Sequence, residues 1–82
     1  MTCADLQADT MWLELRNYEV VPLNVRLSAR INELSRTLRE GAAACPDTTR
    51  EGFYTVELHG GCAYIHVHHD NRTVYLVAFA AR

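Results

Sequence analysis

The stretch GFYTVELHGGCAYIHVHHDNRTVYLVAFAAR, residues 52–82, decides the fold of this chain. It contains three runs rich in Val, Ile, Tyr, Phe and Thr, which are separated by Gly60-Gly61 and by Asp70-Asn71-Arg72. β-Branched and aromatic side chains suit a pleated strand, and Gly-Gly or Asp-Asn supplies the backbone conformations of tight hairpins. The stretch therefore predicts a three-stranded antiparallel meander.

A two-residue turn at Gly60-Gly61 fixes which side chains of the first hairpin share a face. With this turn, Glu57 pairs with Tyr64 and Thr55 pairs with His66. Residues that pair share a face of the sheet, and side chains alternate between the two faces along each strand. One face, here called the apolar face, is a predicted core that consists of Tyr54, Val56, Leu58, Ala63, Ile65 and Val67. The other, here called the mixed face, carries Phe53, Thr55, Glu57, His59, Cys62, Tyr64, His66 and His68.

The register of the third strand depends on the length of the second turn. A two-residue turn adds Val74, Leu76 and Ala78 to the apolar face. A three-residue turn sends that set to the mixed face, because a one-residue slip moves every side chain to the other side of the sheet. In either register, the apolar side chains exceed what one covered face needs. The residues that lie beside the histidines after a two-residue turn are Tyr75, Val77 and Phe79.

Residues 24–40 predict one amphipathic helix, which we expect to pack on the apolar face. Asn24 is suited to cap its N-terminus, and Gly41 stands where a positive-φ residue commonly ends a helix. The apolar stripe recurs at i, i+4, i+7 and i+11, as the helical period requires. It consists of Leu27, Ile31, Leu34 and Leu38.

The N-terminal part of the chain is less regular. Thr2 and Asp5 fit a capping box that would open a short helix. In residues 11–16 apolar and polar side chains alternate, which suits a strand as well as a helix. Residues 18–21 predict a strand that joins the edge of the sheet, and Pro22 ends it.

Residues 42–51, which include a proline and the polar run Asp47-Thr48-Thr49, predict a loop. The resulting layout is an N-terminal strand, one main amphipathic helix and the three-stranded antiparallel meander, which is a small α+β fold. We expect residues 1–82 to form one domain. Within it, residues 1–17 are a poorly defined segment and residues 18–82 are the core.

Composition and charge argue against several classes of protein. The net charge is −2 and all eight basic residues are arginines, so the chain lacks the basic surface of a dedicated nucleic-acid binder. No apolar stretch approaches the about 20 residues that span a bilayer, and the N-terminus lacks the pattern of a signal peptide. We therefore expect a cytoplasmic protein with no membrane partner. Three cysteines without metal-ligand spacing predict reduced thiols.

The four histidines and Cys62 are the first candidates for chemistry. His66 and His68 share a face about 6.5–7 Å apart along the strand, close enough to bind one zinc ion. Cys62 lies roughly 13 Å from His66 along the strand, too far to join them. Because no four-ligand set converges, we predict no metal site and no cofactor. The sequence also lacks the motifs of nucleophilic catalysis and of phosphate-binding glycine loops.

Tyr75 is the aromatic side chain with the most informative position. After a two-residue second turn it projects onto the mixed face near His66 and His68. There it can serve as a cross-strand packing residue. Alternatively it is a stacking platform for a nucleobase, an interaction worth about 1–3 kcal/mol per base.

Residues 18–82 resemble the N-terminal portion of the ribosome-inactivating proteins, the ricin A-chain-like rRNA N-glycosidases. That portion is a strand, a helix with an Ile-x-x-Leu-x-x-x-Leu stripe and then three strands. Three segments carry the resemblance. The first is the helix stripe, which consists of Ile31, Leu34 and Leu38. The second is an aromatic-led Val-Glu-Leu strand, Phe53-Tyr54-Thr55-Val56-Glu57-Leu58. The third is the family's Asp…Tyr-Val-Val-Gly-Tyr segment, which is matched by Asp70 and Tyr75-Leu76-Val77-Ala78-Phe79.

The resemblance implies roles for two residues. In that family the first tyrosine of the last segment stacks on the target adenine, and this role falls to Tyr75. The family's helix arginine falls at Ser35, one place before Arg36, so Arg36 is a candidate substrate-binding residue. Ala78 stands where the family has a glycine.

The resemblance also implies a partner and a limit on activity. Family members remove an adenine from large-subunit rRNA and so inhibit translation, which makes the ribosome or its RNA the expected partner. They are much longer, and their catalytic acid, its arginine and a second stacking tyrosine come from the part that this chain lacks. Base removal needs a stabilised oxocarbenium-like sugar and a protonated leaving base. We therefore expect a truncated or degenerate member that is inactive alone. A missing C-terminal region or a second copy would cover Tyr75, Val77 and Phe79.

The same layout resembles the RelE/ParE-type toxins of toxin–antitoxin pairs, some of which cleave ribosome-bound mRNA. Thr55 and Glu57 stand where that family has strand lysines, and Ala63 stands where it has an arginine. Arg82 falls near its terminal arginine and is the second candidate substrate-binding residue. A third hypothesis is a non-catalytic module that dimerises or binds through the mixed face or a sheet edge. The sequence leaves open whether the chain is an enzyme.

Overall fold

A six-stranded sheet with a two-part helix on one face makes up residues 10–82, the part of the chain that the computed structural model describes. The strand order is β1-β3-β4-β5-β6-β2, and only β2 and β6 are parallel neighbours. The expected capping box at Thr2 and Asp5 lies outside the described residues. In chain order the elements are β1 Met11–Leu13, β2 Glu19–Pro22, a 3₁₀ helix Val25–Arg30, α1 Ile31–Glu40, β3 Ala42–Pro46, β4 Phe53–Leu58, β5 Gly61–His68 and β6 Thr73–Ala81.

The predicted α+β class is confirmed, but the predicted sheet is too small. The meander of β4, β5 and β6 forms its centre, and three further strands extend it to six. β3 occupies residues of the predicted loop at 42–51. It was missed because alanine is a poor strand former in isolation. Its neighbours supply the missing stabilisation, since Ala44 is fully buried between Met11 of β1 and Val56 of β4.

The strand predicted at residues 18–21 is confirmed as β2, at the edge of the sheet. It runs parallel to β6, with Val20 opposite Val74. Pro22 ends β2 on this edge, where the loss of an N–H donor is tolerated. No helix within residues 10–82 is long and apolar enough to cross a membrane.

The predicted helix is confirmed over its full length, although its first part is a 3₁₀ helix. The Asn24 side chain accepts a hydrogen bond from the Leu27 N–H at 3.3 Å and so caps the N-terminus. Gly41 follows the last turn with φ of 93°, a conformation that glycine adopts without strain. The predicted stripe faces the sheet, with Leu27, Leu34 and Leu38 buried.

The first hairpin turns one residue earlier than predicted. Leu58 pairs with Gly61, so His59 and Gly60 form the turn, and Phe53 pairs with His66. Gly61 lies in β5 instead, at a position that requires glycine because a Cβ there would collide with the Ala80 carbonyl oxygen. Every pair is thereby shifted by two residues. An even shift leaves the side chains that remain in the strands on their predicted faces, so the division of residues 53–58 and 62–68 into apolar and mixed faces is confirmed.

β6 follows its predicted faces only up to Leu76. Val74 and Leu76 are fully buried on the apolar face, as a two-residue turn predicts. The pairing then shifts, because Ile65 pairs with Leu76 but the preceding residue, Tyr64, pairs with Ala78. Val77 is therefore an extra residue, a β-bulge. The bulge moves Ala78 and Phe79 to the faces opposite those predicted, and Phe79 packs against the core.

The burial of the helix stripe predicts a large loss of stability when it is truncated. Leu34 is 0% exposed, so the Leu34→Ala variant should lose about 2–5 kcal/mol of unfolding free energy in urea denaturation. Leu23 is 59% exposed and provides a matched control, because its replacement by alanine should change stability by less than about 0.5 kcal/mol. Equal losses in the two variants would show that the helix does not pack on the sheet as described.

Candidate functional site

Five aromatic rings line the mixed face of the central strands, opposite the helix. This ring row consists of Phe53 from β4, Tyr64, His66 and His68 from β5, and Tyr75 from β6. The rings share one face because they occupy alternate positions on β5 and pair across it, with His66 opposite both Phe53 and Tyr75. All five are half-buried, which leaves part of each ring exposed to solvent or a ligand.

Successive rings of the row are in contact. Phe53 stacks on Tyr64 at a centroid distance of 5.4 Å and on His66 at 4.0 Å, where the planes are only 9° apart. His66 and His68 follow at 4.1 Å, and Tyr75 meets His68 edge-on at 5.2 Å and 84°. Aromatic pairs of this kind contribute about 0.5–1.5 kcal/mol each beyond the area they bury. The row is therefore an ordered surface that holds its side chains in defined orientations.

The loop between β3 and β4 is tied to one end of the row. The Tyr64 hydroxyl donates a hydrogen bond to the Asp47 carboxylate, which also accepts from the Thr49 backbone N–H at 2.9 Å and hydroxyl at 2.8 Å. These bonds, that of Tyr64 above all, lower the pKa of Asp47 to about 2. Partial burial and the same contact raise the pKa of Tyr64. The Arg50 guanidinium lies over the Phe53 ring, 4.8 Å from its centroid.

The two histidines at the middle of the row contact each other through nitrogen atoms. Nε2 of His68 lies 3.1 Å from Nδ1 of His66. Partial burial, then the neighbouring His68 and Arg50, lower the pKa of His66. His66 is therefore neutral at pH 7. Within residues 10–82, no group of three or more His, Cys, Asp or Glu side chains is arranged to hold a metal ion.

The other two histidines lie outside the ring row. His69 contacts Tyr18, whose hydroxyl oxygen is 2.6 Å from the His69 Nδ1 atom. His59 is exposed in the turn between β4 and β5. The sequence had placed His59 on the mixed face, and the earlier turn removes it from that face.

The structure does not bring the three predicted site residues together. Tyr75 ends the ring row, as described. Arg36 is exposed on α1, and the helix covers the opposite face of the sheet. Arg82 lies seven residues beyond Tyr75, roughly 23 Å along the strand direction, and forms an ion pair with Glu57. A site built from the described residues around Tyr75 therefore includes neither arginine.

The expected apolar patch of Tyr75, Val77 and Phe79 is not one surface. The bulge directs Phe79 to the helix side, where the Arg30 guanidinium lies 4.2 Å from its ring centroid. Val77 and Phe79 line a groove with residues of the 3₁₀ helix, whereas Tyr75 belongs to the ring row. A partner that covers Tyr75 would thus contact the histidines and not Phe79.

Asp47 and Arg50 belong to this site, although no sequence pattern marks them as functional. Both are loop residues, and a loop has no periodicity from which a side-chain direction can be inferred. The sequence contains one local indication of the position of Asp47: an Asp side chain often accepts a hydrogen bond from the backbone N–H two residues later, here that of Thr49. This hydrogen bond is observed, and it points the second carboxylate oxygen at Tyr64.

The prediction of reduced thiols is wrong for Cys62, which is disulfide-bonded. Cys62 lies in β5 and is buried. Disulfides persist mainly in oxidising compartments, so the state of Cys62 differs from the one that a reducing compartment would favour.

The lowered pKa of His66 predicts that the fold is less stable in acid. The unfolded chain binds a proton at His66 below about pH 6.5, while the native state resists it, so stability falls as the pH drops through that value. Thermal unfolding followed by circular dichroism should show a lower midpoint at pH 5.5 than at pH 7.5. The His66→Gln variant should show a smaller difference, and the exposed His59→Gln control should match the wild type. An unchanged pH dependence in His66→Gln would contradict the assigned environment.

No protein-family model, curated protein or solved structure matches this chain.

Proposed function

We propose that this chain is a degenerate domain of the ribosome-inactivating type, which binds a base of ribosomal RNA on Tyr75 and does not remove it unaided. The observation that carries the proposal is the position of Tyr75 at the end of a half-buried ring row, on the sheet face opposite the helix. The resemblance of the β4 and β6 segments to that family supports the choice of an adenine as the bound base.

The ring row is suited to planar ligands. Base–aromatic stacking contributes about 1–3 kcal/mol per base, and the row offers Tyr75 and His68 at one end and Phe53 and Tyr64 at the other. Arg50, at the Phe53 end, adds a positive charge that a phosphate could approach. Since the net charge of the chain is −2, stacking and not counterion release would supply most of the affinity. Binding should accordingly depend only weakly on salt.

Asp47 and Glu57, two carboxylates that contact groups of the central strands or their ends, argue against base removal. Asp47 is the carboxylate tied to the row, and with a pKa of about 2 it stays ionised at neutral pH and cannot protonate a leaving base. Glu57 is paired with Arg82. Neither group is therefore positioned beside Tyr75 as a general acid. A region beyond this chain would have to provide that group, as the family resemblance implies.

A non-catalytic dimerisation module is the second candidate function. It is favoured by the exposure of Trp12, 65%, and Met11, 42%, on the short edge strand β1. Exposed apolar side chains on a strand at the edge of a sheet favour self-association. No contact in residues 10–82 specifically favours a RelE-type ribonuclease, because Glu57 stands at one position where strand lysines are expected and is paired with Arg82.

A domain that binds ribosomal RNA would act at the ribosome, in the cytoplasm. We also propose a cover for the Tyr75 end of the row, either a further C-terminal region or a second copy of the chain.

RNA binding tests the proposed function directly. Fluorescence anisotropy with a short adenine-containing single-stranded RNA should show binding that Tyr75→Ala weakens about 5- to 150-fold, the equivalent of one lost stack. Tyr75→Phe should retain binding, because it keeps the ring. Trp12→Ala is the matched control, since it removes an exposed ring from the far edge of the sheet.

A translation assay with aniline cleavage of the large rRNA tests the second half of the proposal. Neither the wild type nor Tyr75→Ala should release a fragment. A fragment from the wild type that is lost in Tyr75→Ala would show that the chain removes the base by itself.

Equal RNA affinity of the wild type and Tyr75→Ala would refute base stacking on Tyr75. A Trp12-dependent dimer without RNA binding would favour the second candidate function.

A further inference from the structure

We infer that Nδ1 of His66 and Nε2 of His68 form a two-nitrogen site for a divalent transition metal such as zinc or copper. The inference does not depend on the proposed function, since it needs only these two rings. It starts from one distance, the 3.1 Å between the two nitrogen atoms.

This distance fits two ligands of one metal ion. Zinc–nitrogen bonds are about 2.0–2.1 Å long, so two nitrogens at right angles around the ion lie about 2.9 Å apart, and two at the tetrahedral angle about 3.4 Å apart. The observed separation of 3.1 Å lies between these values. Without a metal, one ring N–H can donate to the other nitrogen across the same gap. With a metal, both nitrogens must be unprotonated and the remaining ring nitrogens carry the protons.

The neighbouring residues hold both rings in place before any metal binds. His66 stacks on Phe53 with the planes 9° apart, and His68 is held edge-on against Tyr75. Both histidines are carried by β5, which is paired on both sides by β4 and β6. Little side-chain freedom then remains to be lost on binding, which favours affinity.

The donor set determines which metals the site would take. Imidazole nitrogen suits zinc, copper and nickel, whereas magnesium and calcium prefer oxygen ligands. No third His, Cys, Asp or Glu within residues 10–82 joins the pair, so water or an added ligand would complete the coordination. The cationic Arg50, which lies over Phe53, opposes a bound cation. Among divalent ions, affinity should follow the general order in which copper exceeds zinc.

Calorimetric titration of the untagged chain with ZnCl₂ tests the site, with MgCl₂ as the ion that should not bind. One zinc per chain is expected, and His68→Gln should raise the Kd for zinc at least about tenfold. The loss of a residue that only hydrogen-bonds to a metal ligand already weakens metal binding by about that factor, and His68 is proposed as a ligand itself. His66→Gln should raise the Kd likewise. His59→Gln and His69→Gln are the matched controls and should retain the wild-type Kd, because both residues are exposed and outside the row.

A second measurement keeps the inference testable if His66→Gln or His68→Gln fails to fold. The ring protons of the four histidines in the wild-type chain can be followed by NMR as zinc is added. Shifts confined to His66 and His68 would support the site. Shifts at His59 or His69 instead, no binding of zinc, or an unchanged Kd in a folded His68→Gln variant would each overturn it.

Discussion

The contact of Leu34 and Leu38 with the apolar face of the sheet is the constraint on which the rest of this structure depends. Both leucines are almost completely buried, and they decide which side of each central strand faces the core. The described chain has one two-part helix, so helical cover is available for one face alone. The other face is left to half-buried rings and polar side chains, and this division creates the candidate site.

The bulge at Val77 determines how far that site extends. Before the bulge, β6 presents Tyr75 to the histidines; after it, Phe79 points to the helix side and is covered by Arg30. Bulges often redirect side chains beside functional sites. Here the effect is to end the ring row at Tyr75 and to remove a large apolar ring from the surface that a base or a partner would contact.

Much of this arrangement could be predicted from local patterns. The helix was predictable because its stripe repeats at one period. The two faces of the first hairpin were predicted correctly despite the incorrect turn, because the strand pairing is shifted by two residues and an even shift keeps each strand residue on its face. The bulge could not be predicted, since Val77 is an ordinary strand residue and only the pairing with β5 reveals the extra position. β3 was missed because its alanines are stabilised by their neighbours and not by their own preference.

The candidate site was predictable only in part. Tyr75, His66 and His68 could be placed on one face by alternation, and they do lie there. The contribution of Phe53 to a continuous stack and the contact between Asp47 and Tyr64 depend on three-dimensional distances that a sequence does not contain. Arg36 and Arg82 were selected by resemblance in short segments, and such a resemblance does not include the distances that separate them from Tyr75.

The helix and the bulge together leave one continuous ring row on the mixed face. A two-dimensional NOESY spectrum of the chain tests this arrangement most directly. We expect contacts from Phe53 to His66 and from His68 to Tyr75, with Phe79 in contact with Arg30. Contacts from Phe79 to Tyr64 or His66, with none between Phe53 and His66, would show that β6 has no bulge and that the row does not exist.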